Sequence, residues 1–96
     1  MLFLGTYDFR PEIANGTGLR RFQPWTPPAG FVFKGHWVRG DVSGGVFVAE
    51  AESAAAIFEA ASAFADLIDF EIVPALDIIE SLPITGKVNA WIESVT

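Results

Sequence analysis

Cysteine is missing from the sequence, which removes disulfides, thiol nucleophiles, iron–sulfur clusters and cysteine-ligated zinc together. Histidine occurs once, as His36. A metal site would need carboxylates to complete it, and no ligand-spacing motif surrounds that residue. Positive charge is scarce too, with six Lys and Arg against twelve Asp and Glu and a formal net charge of −6. Apart from Arg20-Arg21 the cations are scattered, whereas binding a polyanion needs several of them on one face. Nucleic acid and anionic membrane are therefore not expected partners. No apolar run approaches the roughly 20 residues of a membrane span, and Met1 to Gly5 lacks the basic region and length of an export signal. The expected location is the cytoplasm, where the sequon Asn15-Gly16-Thr17 has no consequence. Gly16-Thr17-Gly18 ahead of Arg20-Arg21 carries no phosphate-loop fingerprint and reads as a loop. Neither metal nor cofactor is expected.

What remains is apolar. Hydrophobic residues make up 51% of the 96 positions and charged ones only 19%, the profile of a folded chain of one-domain size. So short a chain cannot hide that much apolar surface by itself, and part of it should meet another subunit.

The stretch Phe31 to Ala51 organises the rest. Two runs rich in Phe, Val and Trp flank Gly40-Asp41-Val42-Ser43-Gly44, as expected of a β-hairpin. With that loop at the tip, Trp37 faces Phe47, Val38 faces Val46, Lys34 faces Glu50 and His36 faces Val48, which pairs aromatic with aromatic and cation with anion. Before the hairpin, Leu2 to Phe9 alternates as a strand, with Leu2, Leu4, Thr6 and Asp8 on one face and Phe3, Gly5, Tyr7 and Phe9 on the other. Pro11 ends it. Ile13 to Phe22 makes a poor helix, interrupted by Asn15, Gly16 and Gly18. After the hairpin, Ser53 caps the clearest helix, whose stripe runs Ile57, Phe58, Ala61, Phe64, Ala65 and Ile68. Asp69 to Leu76 returns to strand, and Pro74 restricts it to an edge or a bulge. Asp77 to Ser81 forms a helical turn. Ile84 to Val95 alternates loosely and is read as a fifth strand or an arm. The boundaries are a domain over residues 1–80 and an extension over 81–96, the latter pairing with a partner subunit.

Strand, weak helix, strand, strand, strong helix, strand is the βαββαβ order of an α+β, ferredoxin-like antiparallel sheet with both helices on one face and strand order 4-1-3-2. The aromatic face, with Phe3, Tyr7, Phe9, Phe31, Phe33, Trp37 and Phe47, goes to the helices. The mixed face, with Thr6, Asp8, Lys34, His36, Glu50 and Glu71, stays open.

Short motifs in a fixed order carry a family resemblance. They are Thr6 to Glu12, Arg21-Phe22, Pro27 to Gly30, Gly35-His36-Trp37, Asp41 to Gly45 with Glu50 beyond, and Phe70 to Pro74. Over roughly residues 3 to 77 the chain resembles an uncharacterised family of short bacterial proteins catalogued as a domain of unknown function, number 3303 of its series. The resemblance implies the dimeric α/β-barrel superfamily, in which ferredoxin-like subunits pack their open sheet faces into a barrel. That superfamily includes cofactor-free monooxygenases of aromatic polyketides, muconolactone isomerase-like enzymes and haem-degrading relatives. The family itself supplies no activity.

His36 is the one side chain that can shuttle protons near neutrality. With Asp8 and Tyr7 it forms the candidate catalytic set, while Trp37, Phe33, Phe47, Thr6 and Glu71 are the candidate ligand-binding residues. Each has a structural alternative: a hydrogen-bonded interface histidine, carboxylates in a wet barrel mouth, and aromatics that are simply core. Two function classes follow. One is a metal-free homodimeric enzyme or binder acting on a hydrophobic or aromatic small molecule. The other is a non-catalytic homodimer serving as an accessory or ligand sensor.

Overall fold

Alternation in the first segment does what period two requires. In the computed structural model, which describes residues 1–96, β1 (Leu2–Phe9) buries Gly5 and Tyr7 and exposes Leu4, Thr6 and Asp8. Chain reversal through the Arg39–Ser43 loop pairs β2 (Phe31–Val38) with β3 (Gly44–Ala51), and β4 (Ile68–Ala75) closes the far edge. The sheet has four strands in the order β2-β3-β1-β4, all neighbours antiparallel. As expected, Pro74 sits on an edge strand, where its missing donor leaves no ladder bond unmade. The architecture is α+β, an open antiparallel sheet with three helices, compatible with a ferredoxin-like fold.

The hairpin register differs from the expected one. His36 faces Phe47, Trp37 faces Val46, Val38 faces Gly45, and Val32 rather than Lys34 faces Glu50. The cause is an irregularity between Phe33 and Gly35, where Lys34 is an extra residue with no partner on β3. One extra residue reverses every side chain beyond it. Phe31 and Phe33 keep the expected helix-side orientation, whereas His36 turns inward and Trp37 turns to the open face.

Helix α1 (Thr17–Phe22) is only six residues long and has no side-chain cap, in keeping with its glycines. Helix α2 (Ala54–Ser62) starts where expected, with the Ser53 hydroxyl accepting from the Ala56 N–H at 3.2 Å. Its buried face is Ala56 and Ala60, followed by Phe64 and Leu67 in the turn beyond the helix, while Phe58 is 75% exposed. The expected stripe was thus wrong at Phe58 and at Ala65, which is also exposed. The helix stops at Ser62 and its angular periodicity stops with it.

The segment read as a turn and then a strand is one helix, α3 (Ile78–Val95), running through position 81 without a break. The Asp77 carboxylate caps it, accepting from the Ile79 N–H at 2.8 Å. Pro83 and Gly86 lie inside, and no residue of α3 is buried. The helix projects from the domain, so the radius of gyration is 17.2 Å and the long dimension 56 Å. A compact chain of this length would have a radius near 12–13 Å. No helix is long and apolar enough to cross a membrane.

The core lies between the sheet and α1 and α2, and every one of its buried members is apolar or Tyr7. Two glycines make room for it. A Cβ on Gly5 would lie 2.1 Å from Phe47 Cζ, and one on Gly45 would lie 2.5 Å from the Tyr7 hydroxyl oxygen. The rings of Phe47 and Tyr7 therefore rest directly on the backbone of neighbouring strands.

Candidate functional site: an aromatic cavity with one polar pair

Inward positions of three adjacent strands converge under α1 and α2. Tyr7 and Phe9 come from β1, Phe47 from β3, and Phe33 and His36 from β2, while Phe22 and Phe64 descend from the helical side. They enclose a cavity of about 210 Å³ in which 16 of 18 lining residues are apolar. Leu19 and Val38, both about half exposed, stand at its mouth, and a second hollow of about 400 Å³ with Ile13, Asn15 and Val42 continues outward from them.

Within this cavity there is one polar pair. The Tyr7 hydroxyl and His36 Nε2 share a hydrogen bond of 2.7 Å. The imidazole stacks on Phe33 with centroids 4.9 Å apart and planes 13° from parallel, and Phe22 meets it edge-on at 5.2 Å. Burial pushes the His36 pKa below the ordinary imidazole value, since a charged ring would lose its hydration. Burial likewise raises the Tyr7 hydroxyl above the usual phenol value, against a smaller opposing effect of the Arg39 charge. Both groups are neutral at pH 7, so the pair is a hydrogen-bonding unit rather than an ion pair.

The other candidate residues lie elsewhere. Asp8 is on the open face and accepts from Arg39 Nη2, which also donates to the Tyr7 carbonyl at 2.6 Å. It does not join His36, because the Lys34 irregularity sends the imidazole through to the opposite side of the sheet. Thr6 and Glu71 are cross-strand partners on that same open face, and Asp8 stands opposite Asp69 rather than Glu71. Trp37 is 58% exposed there and does not line the cavity. Phe33 and Phe47 do line it. Lys34 makes no ion pair with Glu50, for want of the register that would bring them together.

Phe9, Phe22, Leu19 and Phe64 complete the cavity without having been singled out for it. Signals for them existed. Phe9 shares the parity of Tyr7, and Phe22 and Phe64 belong to the apolar faces of the two helical segments. A salt bridge ties α1 to the turn that follows α2. Arg21 donates to both Asp66 oxygens at 2.5 and 3.0 Å and to the Ala63 carbonyl at 3.1 Å. No three His, Asp or Glu side chains gather closely enough to hold a metal ion.

Fold and site together define a small α+β protein, compatible with the ferredoxin-like arrangement, holding an apolar chamber between sheet and helices. The chain belongs to the family described as Domain of unknown function (DUF3303), whose model matches residues 1–89. No curated protein and no solved structure matches the chain.

Proposed function

We propose that the protein is a homodimeric binder of a hydrophobic, aromatic small molecule, with the ligand in the sheet–helix cavity and Tyr7 and His36 as its polar anchor. The observation that carries this reading is the pairing of Tyr7 with His36 inside an otherwise apolar cavity. Ligand pockets have that composition, mostly apolar with a few converging polar groups. A neutral imidazole bonded to a phenol also supplies a proton acceptor and donor at one place, which suits acid–base chemistry on a bound molecule.

The dimer is supported by the open sheet face, where Leu4, Val32, Trp37, Val46 and Val73 are all exposed. A four-stranded face of eight-residue strands measures about 19 by 26 Å, so two such faces would bury roughly 1,000 Å² in total, at the lower bound for a specific interface. The exposed apolar side chains of α3, Trp91 among them at 63%, would add to it. That same exposed surface is what favours the second reading, a non-catalytic dimer serving as an accessory protein.

Native mass spectrometry of the purified protein separates the readings. A dimer carrying a releasable aromatic molecule is the expected result. An empty dimer that takes up no aromatic compound would leave the accessory reading, and a monomer would refute both.

A further inference from the structure

We propose that the ligand is an uncharged one-ring or fused two-ring aromatic bearing a hydroxyl group, recognised by the unsatisfied half of the Tyr7–His36 pair. The proposal rests on the reading of the cavity as a binding site and adds what that site selects.

Size comes first. An apolar cavity of about 150 Å³ accommodates benzene, so 210 Å³ takes a substituted ring or a compact bicycle, and a larger ring system would have to extend past Leu19 and Val38 into the outer hollow. Flatness follows from the walls, which are the rings of Phe22, Phe33, Phe47 and Phe64. Offset stacking and edge-on contacts with such rings favour an aromatic partner.

Charge comes next. No Lys or Arg lines the cavity. The cation on the other side of β1, Arg39, is held by Asp8 and by the Tyr7 carbonyl. A carboxylate or ammonium ligand would be stripped of water with nothing to pair it.

The hydroxyl follows from counting donors and acceptors. If the Tyr7 O–H donates to Nε2, the tyrosine oxygen still accepts one bond. If Nε2–H donates to the tyrosine oxygen, the Tyr7 O–H is left to donate. A ligand hydroxyl can answer either arrangement because it both donates and accepts. A ketone or ether answers only the second, and a hydrocarbon answers neither.

The test uses 2-naphthol, naphthalene and 2-naphthoate, each titrated at pH 7.5 into the full chain and read by NMR. His36 is the only histidine, so its imidazole signals report the site without ambiguity. The expected result is that 2-naphthol binds about three- to tenfold more tightly than naphthalene, the range of one net hydrogen bond. The naphthoate should bind at least tenfold more weakly than the naphthol. In Tyr7→Phe the preference over naphthalene should vanish while naphthalene itself still binds.

Naphthalene binding as tightly as 2-naphthol, or naphthoate binding tightest, would overturn the hydroxyl proposal and leave the cavity standing as a binding site. Equal preference in wild type and Tyr7→Phe would also overturn it. If none of the three binds, the cavity reading fails as well. His36→Leu is the second variant, for use should Tyr7→Phe fold poorly; it leaves the Tyr7 hydroxyl in place with its donor and acceptor both free, so the preference for 2-naphthol should persist, and its loss there would also overturn the proposal.

Discussion

Removing the Tyr7 hydroxyl isolates the bond on which the site depends. Tyr7→Phe keeps the ring, which is 7% exposed and packs against Phe9, Phe47 and Phe70, so no cavity forms and no apolar area is lost. What goes is one neutral hydrogen bond of 2.7 Å. The net worth of such a bond is about 0.5–1.5 kcal/mol. His36 lies at the cavity wall and is only half-buried, so water can partly replace the hydroxyl, and we expect about 1 kcal/mol. In a domain of this size that lowers Tm by about 4–8 °C. His36→Leu removes the same bond but also the stacking on Phe33, so its single effect mixes two causes. The double-mutant cycle separates them. Urea denaturation followed by tryptophan fluorescence on wild type, both single variants and the double variant should give a coupling energy of about 1 kcal/mol. Additive single effects, with coupling below about 0.3 kcal/mol, would show that the two groups do not bond in solution and that the cavity has no polar anchor.

Because the folded-state pKa of His36 is lowered, the unfolded chain binds its proton more readily, and stability should fall as pH drops below about 6.5. Asp66 and Asp41, lowered by hydrogen bonds from Arg21 and Ser43, should add a second fall as pH passes down through the carboxylate range; urea midpoints from pH 8 to 3 check both. Gly5→Ala drives a methyl into the Phe47 ring and should cost about 1–3 kcal/mol, seen as an earlier urea midpoint. Arg21→Ala releases α1 from Asp66 and Ala63, so amide exchange should quicken over Thr17–Phe22 while the sheet stays protected. Deleting residues 78–96 should leave the urea midpoint of the domain unchanged, because no residue of α3 is buried, and any loss of mass by light scattering beyond the removed segment would place α3 in the contact of the proposed dimer.

Sheet topology, strand faces of β1, β3 and β4, the edge position of Pro74 and the Ser53 cap were all legible in the sequence. They depend on local rules, alternation and cap chemistry, that no distant residue overrides here. The site was legible in composition but not in assembly. Tyr7, His36, Phe33 and Phe47 meet in one cavity, yet the sequence groups Asp8, Thr6, Glu71 and Trp37 with them although the sheet separates the two sets. α3 was misread because Val88, Ala90 and Ile92 alternate by accident of spacing, while Ile84, Val88, Trp91 and Val95 follow the 4-3-4 spacing of a helical stripe. A short segment containing proline and glycine satisfies both patterns, and nothing nearby packs on it to decide.

The misplacement of His36 has a single cause, and it can be tested directly. Period two read from Phe31 through the strand puts Phe31, Phe33, Gly35 and Trp37 on one face. The structure keeps Phe31 and Phe33 there and then absorbs Lys34 as an extra residue, so parity reverses and His36 replaces Trp37 on the inside. Deleting Lys34 should therefore not eject the imidazole. It makes the ladder regular, with Phe33 opposite Ala49, Gly35 opposite Val48 and His36 opposite Phe47, the pairings already present. The deletion variant should fold, retain a His36 pKa below the ordinary imidazole value, and keep the Tyr7–His36 coupling in the double-mutant cycle. Replacing Lys34 by two residues should likewise keep the imidazole inward, since an even number of residues between Phe33 and Gly35 preserves the alternation that puts His36 on the face of Phe33. An unshifted His36 in the deletion variant would refute the assignment of the extra residue to Lys34, and with it the reason the cavity has a polar anchor.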